Sequence, residues 1–343
     1  MSSMQESSLY QLTVTRFRLF LREPEALFWV FAFPILLAIG LGIAFRNRPA
    51  DVLPVAATTP QLTQALAADK GLKAVTMDET AGTHALAIGV IQLLAIQQTQ
   101  GVAYKYDDTN PDARLARLLA DRAIQTAAGR HDAVSAENDL IHETGARYID
   151  FVIPGLLGMN LMGSAIWGLG FSIVEARQKR LLKRMVASPM PRWQYLASFL
   201  LSRLLMLVIE VVIFVGFARI AFGVPMRGSL LDLAFLCVLT SLSFSALGLL
   251  ISSRAKTIEA ASGLMNLTML PMWILSGVFF SATRFPAMIQ PIVRALPLTA
   301  AIDALRGNML QGLSLAQLVS PVLILLAWLV IPFLIALRIF RWR

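Results

Sequence analysis

The side chain best placed to do chemistry in this sequence is Glu210, which lies near the middle of a long apolar run. A carboxylate at mid-membrane depth is costly unless it is paired, hydrated or protonated, so such a residue is a functional candidate by default. Arg203 precedes it by two helical turns on the same side, where it could be only an interfacial anchor. Glu210 is therefore a candidate pathway residue.

A second candidate is a stripe of small and polar residues in the preceding apolar run. Its members recur every four residues and are Asn160, Ser164, Gly168 and Ser172. In lipid such a stripe usually marks a seam of helix packing, since small residues let two backbones approach closely. The stripe could also line a pathway, and on that hypothesis Asn160 and Ser164 are the candidate pathway residues.

Methionines define a third candidate, which is one side of the fifth apolar run. This stripe consists of Met265, Met269, Met272 and Ser276. Because methionine is unbranched and polarizable, a Met-rich surface adapts to apolar ligands of varied shape. An ordinary packed helix accounts for the same pattern at least as well, so both alternatives stay open.

Metal and nucleotide chemistry find little support in the sequence. The conceivable metal ligands lie between the first two apolar runs and are His131, Asp132, Glu137, His142 and Glu143. Their spacing fits no ligand motif and HExxH is absent, so a solvated connecting helix is the better interpretation. The phosphate-binding motif GxxxxGK followed by Ser or Thr is absent as well. The single cysteine, Cys237, lies in an apolar run and indicates packing.

Composition places these candidates in a membrane protein. Apolar residues make up 57% of the chain and charged residues only 15%, an imbalance that soluble domains rarely show. The net charge of +9 could suggest a nucleic-acid partner, but the basic residues cluster at the ends of apolar runs and no recognition motif appears. The expected partner is therefore the lipid bilayer and not nucleic acid.

Six transmembrane helices would hold these residues, since each apolar run can cross a hydrocarbon core of about 30 Å. The runs are Ala26–Phe45, Phe151–Val174, Leu196–Phe222, Leu230–Ile251, Ala260–Phe280 and Leu318–Phe340. Residues 1–24 form an amphipathic interfacial helix, 25–45 the first transmembrane helix and 150–343 the other five. The predicted fold class is an α-helical polytopic membrane protein with an inserted extracytoplasmic α/β domain.

The inserted domain is residues 46–149, where most of the acidic residues lie. Its predicted strands are Leu53–Ala57, Lys73–Met77, Gln92–Ile96 and Val102–Tyr106, and its predicted helices are Pro60–Ala68 and Asn110–Gly129. Asn110 would cap the last helix, with Pro111 in its first turn. Basic residues concentrate near the chain ends and in the loop at 175–193, which places both termini in the cytoplasm and the inserted domain outside.

The loop at 175–193 is strongly basic, with one acid, Glu175, at its start. Read as a helix, it presents an apolar stripe on one face and basic residues on the other. The stripe consists of Leu181, Leu182, Met185 and Val186. Prolines at 189 and 191 then stop the helix. Such a loop either rests on lipid headgroups or docks a partner through its apolar stripe.

The segment 281–312, between the fifth and sixth runs, is apolar but interrupted by Pro286, Pro291 and Pro297. Non-helical backbone at membrane depth survives only where it is buried in protein or faces a water-filled cavity. We therefore expect short re-entrant helices that cap the outer side.

Several motifs, in their order along the chain, resemble the permease subunit of an ABC-2 type transporter of the drug- or antibiotic-export branch. They are REPEALFWVFAFP, YDDTNPDA, YIDFVIPGLLGMN, ASPMPRWQYL, LPMWILSGVFF and LPLTAAIDALRG. Many relatives have a Gly-Thr pair soon after the glutamate of the loop, where this chain has QKRLLKR at 178–184.

The resemblance implies that the loop couples the chain to a separate ATP-hydrolysing subunit, which would bind ATP and Mg, so that no cofactor is expected on this chain. The expected contact residues are Glu175, Leu181, Leu182, Met185 and Val186. The resemblance also implies outward export of a drug-like, lipid-like or other amphipathic substrate across a bacterial inner membrane.

Further partners are implied as well. Six transmembrane helices are half a pore by resemblance, so a second copy or a related permease is expected, and an extracytoplasmic accessory protein is a further candidate. Two other classes stay open, a membrane-anchored sensor or scaffold and an ion-gradient-driven secondary transporter. The latter is expected to show internal repeats with broken helices.

Overall fold

The computed structural model describes residues 8–45, 52–99, 101–130, 147–179, 192–255 and 257–339. The chain divides into two compact units, one combining residues 1–46 with 142–343 and the other comprising residues 47–141. Two predicted sets lie outside the described residues: His131, Asp132, Glu137, His142 and Glu143, and the stripe Leu181, Leu182, Met185 and Val186. Within the described residues, no group of His, Cys, Asp and Glu could hold a metal ion.

Six helices in the described part of the chain are long and apolar enough to cross a membrane. They are span 1 (Pro24–Ala44), span 2 (Tyr148–Gln178), span 3 (Leu201–Phe222), span 4 (Leu230–Arg254), span 5 (Ile258–Leu275) and span 6 (Val319–Ile339). Each overlaps one predicted apolar run, so the prediction of six membrane-length helices is confirmed. Spans 2 and 4 are the most buried, and they pack extensively against each other.

A separate helix, Ser8–Leu21, precedes span 1 and packs against the first turns of the span 3 helix, which begins at Arg192. Arg16 donates from Nε to the Ser198 hydroxyl at 3.2 Å. The chain then turns, and Pro24 starts span 1, because its fixed φ suits the first turn of a helix. The predicted boundary at residue 24 falls at this break.

Residues 47–141 contain a four-stranded sheet in the order β2-β1-β3-β4. The strands are β1 (Leu53–Ala57), β2 (Leu72–Thr76), β3 (Leu93–Gln98) and β4 (Gly101–Lys105). β1 pairs in parallel with β2 and β3, and β4 is antiparallel to β3. The accompanying helices are Pro60–Ala67, Glu79–Ala87 and Pro111–Ala127. Asn110 accepts a hydrogen bond from the backbone N–H of Asp112 at 2.9 Å, so the predicted cap is confirmed.

The helix Glu79–Ala87 was missed by the sequence prediction. Asp78 caps it by accepting a hydrogen bond from the backbone N–H of Ala81 at 3.2 Å. A Cβ at Gly82 would lie 2.6 Å from a methyl carbon of Leu94, so glycine allows the helix to approach β3 closely. Gly, Thr and His are weak helix formers, and packing on the sheet therefore stabilises this helix more than propensity does.

Between spans 5 and 6 the chain forms a short 3-10 turn, Ala282–Arg284, and two helices, Gln290–Ala295 and Pro297–Gln311. The second of these, which we call the connecting helix, is largely buried and packs against spans 2, 4 and 6. It ends at Gly312, whose φ of 71° lies in the left-handed region that favours glycine. The predicted helices are present, and a re-entrant path through the membrane stays a prediction.

Candidate functional site

Glu210 is buried in span 3, with 1% of its side chain exposed. Both of its carboxylate oxygens lie within hydrogen-bond distance of the Ser164 hydroxyl on span 2, at 3.0 and 3.1 Å. Nη1 of Arg203, two turns earlier on the same helix face, lies 3.7 Å from Oε2. The carboxylate is therefore paired, as an ionisable group inside a membrane requires.

Arg203 is a partner in this site and not only an interfacial anchor. Its Nη2 donates to the Ser164 hydroxyl at 2.7 Å, and its Nε donates to the Ser241 hydroxyl at 3.2 Å. Only 19% of the side chain is exposed. The planar guanidinium directs its donors along fixed lines, so one side chain on span 3 joins spans 2 and 4. We call Asn160, Ser164, Arg203, Glu210 and Ser241 the polar cluster.

The Ser164 hydroxyl is the central contact of the polar cluster. It has one proton to donate, and the nearby acceptors are the Glu210 carboxylate and the Asn160 carbonyl, the latter at 2.9 Å. The hydroxyl can therefore donate either to Glu210 on span 3 or to the Asn160 carbonyl of its own helix. Because either choice satisfies the hydroxyl, the contact between spans 2 and 3 can open without leaving the serine unbonded.

Asn160 extends the polar cluster to span 1. Its Nδ2 donates to the carbonyl of Val30 at 3.0 Å. Pro34 stands four residues after Val30 and has no N–H to return to that carbonyl, and the helix takes the wider π form over Phe28–Ala32. Asn160 therefore supplies the hydrogen bond that the proline removes from span 1.

The polar cluster thus links four spans at one place. Removing one partner of a buried ion pair typically costs about 3–5 kcal/mol, because the other charge is left unpaired. A single hydrogen bond between membrane helices contributes far less, about 0.6 kcal/mol on average. The ion pair therefore dominates the cluster, whereas the individual bonds to serine are weak enough to be exchanged. Such an arrangement favours one packing of the spans and still permits another.

The predicted polar stripe of span 2 divides into two parts. Asn160 and Ser164 are buried in the polar cluster, but Gly168 is exposed, and a Cβ there would meet nothing within 4 Å. Ser172 donates to the Gly168 carbonyl at 2.6 Å. Close packing involves a different glycine, since a Cβ at Gly155 would lie 2.7 Å from the carbonyl oxygen of Val278. Within this chain, the stripe is therefore not packed along its whole length, and its role in packing or in a pathway stays a prediction.

The methionine stripe of span 5 lies against span 2. Met265, Met269 and Met272 are all buried. A Cβ at Gly170 would lie only 2.1 Å from the methyl carbon of Met265, so the absence of a side chain there makes room for this methionine. Ser276 directly follows the helix, and its hydroxyl is buried without a partner among the described residues. A pathway role for these four residues stays a prediction.

The start of the loop at 175–193 shows two different environments. Glu175 is exposed and accepts a bond from Lys179 Nζ at 2.5 Å, an i,i+4 surface pair that contributes little stability. Arg177, which the sequence analysis did not single out, instead points to span 4 and donates to three backbone carbonyls there. The other predicted contact residues of the loop lie outside the described residues.

Comparison with known proteins gives a consistent assignment. The model of the ABC-2 family transporter protein family matches residues 24–338. The inner membrane transport permease YadH of Escherichia coli K12 is 29% identical over 195 residues, which are 56% of this chain and 74% of YadH. The probable multidrug ABC transporter permease YbhS of the same strain is 29% identical over 180 residues, 52% of this chain and 47% of YbhS.

A further relative, the probable multidrug ABC transporter permease YbhR, is 26% identical over 165 residues, 48% of this chain and 45% of YbhR. The family match begins at the first residue of span 1 and ends in the last turn of span 6, so it covers the whole polar cluster. On this evidence the chain belongs to the ABC-2 transporter family.

Proposed function

We propose that this chain is the membrane-spanning subunit of an ATP-driven exporter and works with a separate ABC ATPase in a bacterial inner membrane. The observation that carries the proposal is the family match over residues 24–338, which includes the loop at 175–193. The proposed cargo is a drug-like, lipid-like or other amphipathic molecule that moves outward, and the names of YbhS and YbhR as probable multidrug permeases support the drug-like class. The family match favours transport over a sensor or scaffold.

The proposed topology has both termini in the cytoplasm and residues 46–149 outside as an α/β domain. The distribution of basic residues supports it, because short cytoplasmic segments carry the excess of Lys and Arg. A second copy of the chain, or a related permease, would complete the transport path. An accessory protein that contacts the outer domain is a further expected partner.

In the proposed mechanism, ATP binding brings two ATPase subunits together, and the loop at 175–193 of each permease conveys that closure to the spans. The spans then change between two packings. The polar cluster would stabilise one of them, because Ser164 can release Glu210 and bond within its own helix. The buried Ser276 hydroxyl, which has no partner among the described residues, would offer a hydrogen bond to cargo beside the methionines.

Docking of the loop is the step that a direct experiment can test. If the apolar stripe lies in a groove on the ATPase, burying a leucine there contributes about 1.5–3 kcal/mol. A glutamate at the same position would be left desolvated and unpaired. Leu182→Glu should therefore weaken ATPase capture at least about tenfold, which corresponds to about 1.4 kcal/mol. Lys179→Gln is the matched control, since an exposed charge is screened by salt and should matter much less.

The assay is co-purification of the P-loop ATPase encoded nearest to the permease, with each variant at matched expression and moderate salt. Membrane content and dimerisation of the permease are measured on the same samples to show that insertion is intact. Equal ATPase recovery with Leu182→Glu and the parent would contradict docking through this stripe. If the parent captures the ATPase, stimulation of ATP hydrolysis by amphipathic dyes in proteoliposomes then tests the cargo class.

A further inference from the structure

Arg177 donates three hydrogen bonds from its two terminal nitrogens at the end of span 2. Its Nη1 donates to the carbonyls of Ser252 at 3.1 Å and Ala255 at 2.8 Å, and its Nη2 donates to the carbonyl of Ser253 at 3.3 Å. All three acceptors lie at the C-terminal end of span 4. One side chain of span 2 thus serves as the cap of another transmembrane helix. We call this set of contacts the arginine clamp.

The end of span 4 needs such a cap. The last four carbonyls of any α-helix have no partner within the helix, and here Ser252, Ser253 and Ala255 are buried. The serine hydroxyls cannot serve these carbonyls, because they donate to Leu249 and Leu250 one turn earlier. A cation at this helix end is also favoured by the partial negative charge of the terminal carbonyls.

The arginine clamp lies where three spans meet the loop region. Span 2 is helical through Gln178, so Arg177 belongs to this helix although it is also one of the first residues of the loop at 175–193. Span 5 begins at Ile258, three residues after Ala255, and Thr257 caps it by accepting from the backbone N–H of Ala260 at 3.2 Å. A displacement of the end of span 2 therefore reaches the end of span 4 through charge-assisted hydrogen bonds.

We propose that Arg177 is a positioning residue of the coupling mechanism, which makes the ends of spans 2 and 4 move as one body when the ATPase displaces the loop. The inference rests on the proposed function, because it assigns a route for the motion that ATPase docking would start. Arg177 needs no contact with the ATPase in this role. Its effect passes through the carbonyls of span 4.

A purely structural cap would have the same bonds but a different consequence. Loss of such a cap would lower the stability of the permease, while spans 2 and 4 would still respond together to the ATPase. A coupling role predicts that, in a variant that lacks the clamp, the ends of spans 2 and 4 separate specifically when the ATPase is trapped. The distance between the two helix ends, measured with and without trapping, distinguishes these alternatives.

The experiment places spin labels at Gln178 and Arg254, which are both exposed, in a Cys237→Ala background. Distances are measured by pulsed electron paramagnetic resonance on the full permease with its ATPase, before and after trapping with ATP and vanadate. The variants are Arg177→Met, which removes every donor, and Arg177→Lys, which keeps the charge and one donor group. Lys179→Met is the control, since it removes an exposed charge from the same helix end.

The parent and Lys179→Met should keep one narrow distance that trapping does not shift. In Arg177→Met the distribution should broaden about twofold, because an uncapped helix end frays, and trapping should shift its mean. Arg177→Lys should lie between them and remains informative if Arg177→Met does not fold. A shift on trapping in the parent, or no shift in both Arg177 variants while the ATPase stays bound, would overturn the inference. Failure of the parent to capture the ATPase would instead overturn the proposed function, and the coupling role with it.

Discussion

The polar cluster makes a quantitative prediction, namely that the contributions of Glu210 and Arg203 to stability are coupled. Two unit charges 3.7 Å apart attract each other by about 4.5 kcal/mol at an effective dielectric constant of about 20. Desolvation of both groups offsets a large part of this attraction, and the Arg203 side chain is 19% exposed. We therefore expect a net coupling free energy of about 1–3 kcal/mol, within the range found for residues that share one network.

A double-mutant cycle measures this coupling. The variants are Glu210→Gln, Arg203→Gln and the combination, unfolded by SDS titration in mixed micelles with helicity as the signal. Each single substitution should lower the free energy of unfolding by about 3 kcal/mol, since it leaves a buried charge unpaired, and the combination should lose less than the sum. Arg219→Gln is the control, because Arg219 is exposed on the same helix about 13 Å along its axis from Glu210.

The control cycle of Glu210→Gln with Arg219→Gln should show a coupling below about 0.5 kcal/mol. An equally small value for Glu210 with Arg203 would refute the assignment of the ion pair as the dominant contact of the cluster. Glu210→Gln should also change the rate of permease-stimulated ATP hydrolysis, because a weaker cluster shifts the balance between two packings. If Glu210→Ala leaves both stability and stimulated hydrolysis unchanged, Glu210 has no functional role.

Two further predictions concern span 1 and the topology. Asn160→Ala should lower the free energy of unfolding by about 1–3 kcal/mol in the same SDS assay, because the carbonyl that Pro34 cannot bond loses its donor; adding Pro34→Ala should recover part of the loss, and no recovery would contradict the assignment. Single cysteines at the exposed positions Lys70 and Asp108, in a Cys237→Ala background, should react with an impermeant thiol reagent in intact cells once the reagent reaches the periplasm. Reaction only after the inner membrane is opened would reverse the proposed topology.

The transmembrane helices could be predicted from the sequence because their apolar runs are long and are separated from one another by polar or proline-containing segments. The ends of strands β1 to β4 were also predicted to within one or two residues, since turn-forming residues precede and follow the strands. The helix Glu79–Ala87 was not predicted, because Gly, Thr and His in its middle are weak helix formers and its stabilising contact with Leu94 comes from a distant strand. Tertiary packing there outweighs local preference.

The candidate site shows a similar division. The cost of a charge in lipid identified Glu210, and the spacing to Arg203 placed both on one helix face. Whether the arginine extends to the interface or inward depends on Ser164 and Ser241, which belong to other spans, so the sequence left this open. Arg177 carried no signal of its own, because one basic residue within a basic loop cannot be distinguished from its neighbours until the position of span 4 is known.

The polar cluster and the arginine clamp together indicate which spans can move relative to each other. Span 2 is one continuous helix between Ser164 and Arg177, about 20 Å at 1.5 Å per residue, and its only proline, Pro154, lies outside this stretch. Span 4 is bonded directly to that helix at the clamp. In the polar cluster, Ser241 of span 4 instead accepts from Arg203 of span 3, which in turn donates to Ser164 of span 2. The clamp, together with the extensive packing between spans 2 and 4, opposes rotation of these two spans against each other.

Span 3 is held differently. It meets span 2 in the polar cluster and at its C-terminal end, where the Phe222 carbonyl accepts a bond from Arg147 at 2.9 Å. Between these points it packs much less against spans 2 and 4 than they pack against each other. Because fewer packed side chains must separate there, relative motion costs least at the contact between span 3 and the pair of spans 2 and 4. That contact contains the Ser164 hydroxyl. As the helices separate, this hydroxyl can stop donating to the Glu210 carboxylate and donate instead to the Asn160 carbonyl of its own helix.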